Sequence, residues 1–296
     1  MNNRLKLDMR LASIFLFGFF SLLLAQAQTD TEIFLFDVKS KKGTLTLTNP
    51  RNITNHKGYD NQPSFHRTEP LLYYSSFNDE GRSDIKSFNY KTKQTAALTQ
   101  TQEREYSPTL TPDGKFVSCI IQRDNNAQDL GMYPATGGTP AVLINHLIVG
   151  YHAWMDSDRI LMFILGQPQT LRLHNLKTEE DKTLDENIGR SLHPIPGKNA
   201  MSYVKKVSET QWSIFLLDKT TLASNKLMDT LPQREDLCWT PDGKVIMSDG
   251  TKVFIAEPFG EKQWVEISLP AEFSGKGITR LAMNAKGDKL AVVVAE

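Results

Sequence analysis

The chain lacks most of the features that announce a specialised function. Two cysteines in 296 residues exclude a disulfide scaffold, and 18 glycines and 14 prolines without a short period exclude collagen-like and low-complexity classes. Neither sign of charge is in excess: 34 Lys and Arg balance 34 Asp and Glu. No long-range positive field therefore draws the protein to nucleic acid or to an anionic membrane. After Leu24 no apolar run approaches the ~20 residues that span a bilayer. Catalytic signatures are absent as well. Gly189-Arg-Ser-Leu-His193 fails the nucleophile-elbow pattern at its last glycine, and there is no phosphate-loop, zincin or EF-hand spacing. Helical periodicity is nearly missing.

What is present begins with the first 27 residues. Arg4, Lys6 and Arg10 precede an apolar run of 14 residues, Leu11 to Leu24, which ends in Ala25-Gln26-Ala27. Positive flank, short apolar centre and small residues at the end make residues 1–27 a secretory signal peptide. A retained N-terminal membrane helix is the other reading, and the run is short for it. Cleavage after Ala27 leaves 269 residues with 31 basic and 33 acidic groups. The expected product is a periplasmic or secreted protein with no membrane insertion.

The rest of the chain consists of apolar segments of four to seven residues, rich in Val, Ile, Phe, Tyr and Leu, between Gly, Asn, Asp and Pro clusters. That is the pattern of short strands and tight turns. Two segments are near copies, Tyr106 to Lys115 and Asp236 to Lys244, and each runs an apolar strand into Thr-Pro-Asp-Gly. Pro presets the turn and Gly accepts a positive φ. The last large apolar residue before each turn recurs as Phe65, Leu110, Trp154, Ile195, Trp239 and Met283, at intervals of 45, 44, 41, 44 and 44. An all-β period of this length indicates propeller blades. Six anchors predict six blades, at about 58–100, 101–144, 145–186, 187–230, 231–268, and 269–296 joined by 31–50. The sixth repeat stops after two strands, while residues 31–50 supply an orphan third and fourth. Pairing the two ends closes the ring and removes an exposed edge. The alternative is an open sandwich of loosely similar hairpins.

The Thr111-Pro-Asp-Gly114 and Thr240-Pro-Asp-Gly243 turns, with the Asp84-Ile85 and Asp129-Leu130 steps that begin third strands, resemble the WD-like repeats of the TolB propeller family. The resemblance spans residues 28–296 through the repeat, although only two of six turns keep Pro-Asp-Gly. It implies a six-bladed propeller of the bacterial envelope that presents loops and a central channel to other proteins. TolB carries an additional α/β domain before its propeller, for which this chain has no room between leader and first strand. Some serine peptidases join a propeller to a hydrolase domain, and the chain is not expected to carry one.

Cys119 and Cys238 fall in blades two and five, opposite each other on a six-blade ring, beyond the ~7 Å that a disulfide tolerates. Both are expected as buried free thiols, with an intermolecular bond as the alternative. His152 and His193 each sit two residues before an anchor in neighbouring blades. They are the candidates for a channel metal, yet Pro63, Pro108, Leu237 and Leu281 at the same offset mark the position first as a packing one. Residues leading into the innermost strands are expected at one channel mouth: Asp60, Asn61, Glu105, Tyr106, Tyr151, Arg190, Arg234 and Glu235. Arg, Tyr and carboxylates together suit a peptide or polar ligand. The plainer alternative makes them solvated loop tips and covers for blade junctions.

The sequence thus predicts a monomeric, non-catalytic propeller without a cofactor, whose partner is an envelope or extracellular protein or peptide. The alternative is a metal-dependent hydrolase or lyase acting on a carbohydrate or small molecule in the channel.

Overall fold

The computed structural model describes residues 30–41, 44–273 and 275–295. The proposed leader, residues 1–27, lies outside them. The chain opens with β1 (Thr31–Lys41) and β2 (Thr44–Asn52). Blade one is β3 (Asp60–Phe65), β4 (Leu71–Phe77), β5 (Ser83–Asn89) and β6 (Gln94–Ala97); blade two is β7 (Arg104–Leu110), β8 (Phe116–Gln122), β9 (Gln128–Pro134) and β10 (Ala141–Ile144). Blade three is β11 (Val149–Trp154), β12 (Arg159–Ile164), β13 (Thr170–Asn175) and β14 (Glu180–Glu186); blade four is β15 (Ile188–Pro194), β16 (Ala200–Lys206), β17 (Trp212–Asp218) and β18 (Ser224–Asp229). Blade five is β19 (Leu237–Trp239), β20 (Val245–Ser248), β21 (Val253–Ala256) and β22 (Val265–Ile267). The last two strands, β23 (Gly277–Met283) and β24 (Lys289–Ala295), join the first two in one sheet of order β2-β1-β24-β23.

The ring is therefore a six-bladed propeller closed as the sequence predicts. β1 runs antiparallel to β24 over Thr31↔Ala295 to Asp37↔Lys289, and the Lys289 ammonium pairs with Asp37 across the closure. Among the described residues the one helical element is a 3-10 turn at Ala271–Phe273, and no helix is long and apolar enough to cross a membrane.

The burial pattern follows from the stacking of blades. Second strands are covered on both faces, as in β8, β12, β16 and β24, whereas the outermost β6 is exposed along its length. The apolar core is six clusters rather than one, each filling a junction between adjacent blades. Val204, Ile214, Trp239 and Val245 join blades four and five, and Ile33, Leu35, Leu72 and Val293 join the closing sheet to blade one. Each such fully buried aliphatic side chain contributes about 1.5–3 kcal/mol. Two anchors add a polar stitch. The Trp154 indole donates to Ser118 Oγ (2.9 Å) and the Trp239 indole to Ser202 Oγ (2.8 Å), each on the second strand of the preceding blade.

The repeated turn behaves as its residues dictate. Thr111 Oγ1 donates to Asp113 (2.6 Å), the Gly114 amide donates to the Thr111 carbonyl (3.0 Å), and Gly114 takes φ +73°. Thr240, Asp242 and Gly243 repeat this arrangement with φ +83° at the glycine. Cys119 and Cys238 are free and buried, as expected, and burial pushes the Cys238 thiol up to about 12.

Candidate functional site

The innermost strands surround a central cavity of about 520 Å³ lined by residues of all six blades. A local irregularity decides which side chains reach it. The ladder between first and second strands skips at Asn61/Ser64, Tyr106/Thr109, Val149/Tyr151 and Ile278/Arg280. Such bulges turn one extra residue out of the pleat. The residue three before the anchor lines the channel: Gln62, Ser107, Tyr151 and Arg280 beside such a skip, and Asp236 just before β19, whose ladder has none. Gln62 and Ser107 carry the cost as positive φ values of 57° and 56°. In blade four the skip is longer, from Ile188 to Leu192, and Arg190 lines the channel as well as Leu192.

Four of these side chains form a polar floor. Arg190 forks onto Asp236, with Nε to Oδ1 at 3.2 Å and Nη2 to Oδ2 at 2.5 Å. Arg280 approaches the same carboxylate at 3.7 Å and donates from Nη2 to the Tyr151 hydroxyl at 2.7 Å. Both guanidinium groups lie against the Tyr151 ring, 5.9 and 5.1 Å from its centre. Burial alone would push the Asp236 carboxyl up, but Arg280 and Arg190 hold it below the usual carboxylate range. Two guanidinium groups thus share one half-buried carboxylate. Glu235 stands 3.6 Å from Arg190 and accepts the Arg190 amide at 3.0 Å. Gly189 permits that approach, since a Cβ there would come within 2.6 Å of Glu235 Oε2. Among the described residues the Arg280 side chain donates one hydrogen bond, to Tyr151, and its Nη1 faces Asp236 at 3.7 Å.

The floor separates two spaces. The large cavity runs from it to the turn ends of the strands, where Arg67, Pro194, Pro241 and Ala285 are exposed. A smaller cavity of about 140 Å³ lies on the opposite side, lined by Gln233, Arg234, Glu235 and Thr279, and shares Arg190, Asp236 and Arg280 with the first.

The eight residues expected at the mouth divide into three groups. Tyr151 and Arg190 meet in the floor, with Glu235 behind them; Arg234 lies in the smaller cavity, its guanidinium laid against Gly250. Tyr106 is half-buried at a blade junction, edge-on to Tyr59 with ring centres 6.4 Å apart. Asp60, Asn61 and Glu105 are buried. The Asp60 carbonyl accepts from Thr31 Oγ1 at 3.0 Å and Asn61 reaches the same hydroxyl at 3.4 Å, tying blade one to β1. Glu105 accepts from Thr101 (2.6 Å), Tyr133 (2.9 Å) and Thr99 (3.2 Å). These three sit at blade junctions because the bulge, two residues later, is where the strand turns toward the channel. Sequence reading missed Asp236 and Arg280. The signal was available, since both hold the offset at which Tyr151 was recognised.

His152 and His193 line the channel, where burial pushes His152 down to about 3 and His193 down to about 4. Both are neutral at ordinary pH. Ser118 Oγ accepts from the Trp154 indole, reaches the Thr109 carbonyl at 2.9 Å and lies 2.7 Å from His152 Nε2. His193 Nε2 lies 2.9 Å from Ser191 Oγ. Among the described residues neither histidine gathers with two further His, Cys or carboxylate donors into a metal-sized group.

Fold and floor together define a closed propeller whose channel is crossed by a half-buried Arg-Asp-Arg layer. No protein-family model matches the chain, and no curated protein matches it. Solved structures do. A putative TolB from Agrobacterium tumefaciens superposes with TM-score 0.68 at 14% identity, covering 90% of this chain and 99% of that one. TolB from Acinetobacter baumannii gives 0.57 at 13%, and the aligned part spans 90% of this chain but 64% of that one. An oligogalacturonate lyase in complex with manganese gives 0.57 at 14%, covering 85% and 82%. The fold is the TolB-like six-bladed propeller.

Proposed function

We propose that the chain, after loss of residues 1–27, is an extracytoplasmic, monomeric and non-catalytic propeller. Its partner is a protein or peptide that presents an acidic side chain or a C-terminal carboxylate to the channel floor. The observation that carries this reading is the sharing of Asp236 by Arg190 and Arg280 beneath a cavity of about 520 Å³. An incoming carboxylate finds planar donors and an aromatic wall that are already in place, so little ordering is needed on binding. The superposition on two TolB structures supports a propeller whose task is to bind rather than to catalyse.

The test is capture from an envelope extract with the tagged protein and with its Arg280→Met variant, checked for folding by circular dichroism. The captured partner's segment is then titrated as a synthetic peptide. Charge-assisted hydrogen bonds of about 1.5–3 kcal/mol predict a 10- to 100-fold loss of affinity when the peptide's acidic groups are amidated or Arg280 is replaced. Affinity unchanged by both would overturn the proposal.

The enzymatic alternative draws on the manganese-bound lyase of similar fold and on the two channel histidines. His152 and His193 do not fit that cation well: each Nε2 is engaged by a serine, and no third donor stands beside them among the described residues.

A further inference from the structure

Away from the channel, the outer part of blade three holds a donor set that the binding function does not use. His174 on β13 and Asp181 on β14 are directly opposed in the antiparallel ladder. His146 joins them from the linker that follows β10, so two blades contribute. Asp181 Oδ1 lies 3.1 Å from His174 Nδ1, and Asp181 Oδ2 lies 2.6 Å from His146 Nε2. Three donor atoms, one from each residue, fall within 4.8 Å of one another, the only such group of His, Cys and carboxylate donors among the described residues.

The charge of the set is unlike that of the carboxylates around it. Asp156 pairs with Arg159, Asp158 with Lys177, Asp185 with Lys205 and Asp229 with Lys226. Asp181 has no lysine or arginine partner among the described residues; its ion-pair partners are the two imidazoles. A carboxylate facing two imidazoles is a site of net charge −1 when the rings are neutral, and it takes a cation. Two nitrogen donors with one oxygen select a borderline transition cation over the hard, oxygen-seeking Mg²⁺ or Ca²⁺. His174 is 5% exposed and fixed on a strand, while His146 is 52% exposed and leaves one side of the set open to solvent. Zinc bonds of about 2.0–2.2 Å place tetrahedral donors about 3.4 Å apart, a spacing the three side chains, all within 4.8 Å of one another, reach by side-chain rotation of the exposed His146.

We propose that His146, His174 and Asp181 bind one zinc-class divalent cation on the rim of blade three, clamping the linker between blades two and three to the β13–β14 hairpin. The cation would stabilise this outer hairpin, whose β14 is largely exposed.

The mature protein, purified on a tag without histidine and stripped with EDTA, is titrated with ZnCl₂ by calorimetry and followed by thermal denaturation. One equivalent binding at micromolar or tighter Kd, a higher Tm with zinc, and no response to MgCl₂ are expected. His146→Ala, on an exposed linker, and Asp181→Asn should each weaken binding at least 10-fold, while His152→Ala/His193→Ala retains it. Absence of binding at 100-fold excess zinc over protein overturns the site. So does binding unaltered by His146→Ala, or binding lost only with the channel histidines, which would move the cation to the channel.

Discussion

Glu105 is buried and Asp236 half-buried at the inner part of the ring, and they are pushed in opposite directions. Burial raises the Glu105 carboxyl, and the donors around it, Thr101, Tyr133 and Thr99, do not offset that rise. Asp236 is held down by Arg280 and Arg190 despite burial. The difference separates two uses of a buried carboxylate. Neutral donors fix a shape, as Glu105 does between blades one and two, whereas cations fix a charge, as at the channel floor. Only the second arrangement leaves donors for a charged partner.

The largest expected effect is therefore at Asp236. Asp236→Asn takes the shared carboxylate from two half-buried guanidinium groups and should cost about 2–3 kcal/mol in urea denaturation at pH 7, less than a fully buried pair because solvent and Glu235 still reach them. A well-packed neutral floor, Asp236→Leu with Arg190→Met and Arg280→Met, should recover most of that loss without restoring the affinity for an acidic peptide. A cost under about 1 kcal/mol for Asp236→Asn would erase the contrast with Glu105. Because the native Asp236 pKa lies below the ordinary 3.8, its stabilisation is complete above that value and is lost as pH falls through the lower native one.

The channel wall gives the next effect. His152 stays neutral in the native state down to about 3, while the unfolded chain takes up a proton near 6.5. Stability should fall as pH drops from 6.5, by about 1.4 kcal/mol per unit for this residue once well below that value. Denaturation midpoints at pH 7, 6 and 5 measure the slope, and His152→Gln should roughly halve it, because His193, pushed down to about 4, contributes a similar share. An equal slope in that variant would assign the acid sensitivity elsewhere.

The smallest effect is at the junction itself. Glu105→Gln keeps most of the hydrogen bonding and should lie within about 1 kcal/mol of the parent at pH 7. The native Glu105 pKa lies above the ordinary 4.5, so its ionised form opposes folding at neutral pH. The parent should gain stability relative to Glu105→Gln as pH falls through the raised native value toward 4.5. A relative loss over that range would place Glu105 in the same class as Asp236.

Most of the architecture was legible in the sequence. Strand and turn residues repeat locally, so Trp154 and Trp239 announce their blades without reference to any partner, and the orphan strands at residues 31–50 show how the ring closes. The site was legible in part. Tyr151 and Arg190 were found as polar residues just before anchors, while Asp60, Asn61 and Glu105 satisfied the same rule and proved to be junction residues. The rule counted along an ideal strand, whereas in blades one, two, three and six a skip puts the residue three before the anchor in the channel. His174 and His146 show a second limit: 28 residues separate them, and nothing in either segment reports that a linker from one blade folds over a hairpin of the next.

By itself the sequence determined the period, the number of blades and the pairing of the chain ends, because these rest on local alternation and turn chemistry that each repeat carries. The tertiary structure alone decided which polar side chains face one another. Arg190, Asp236 and Arg280 come from three blades, and the skips in the strands of the two arginines, together with closure of the ring, bring both guanidinium groups to the one Asp236 carboxylate.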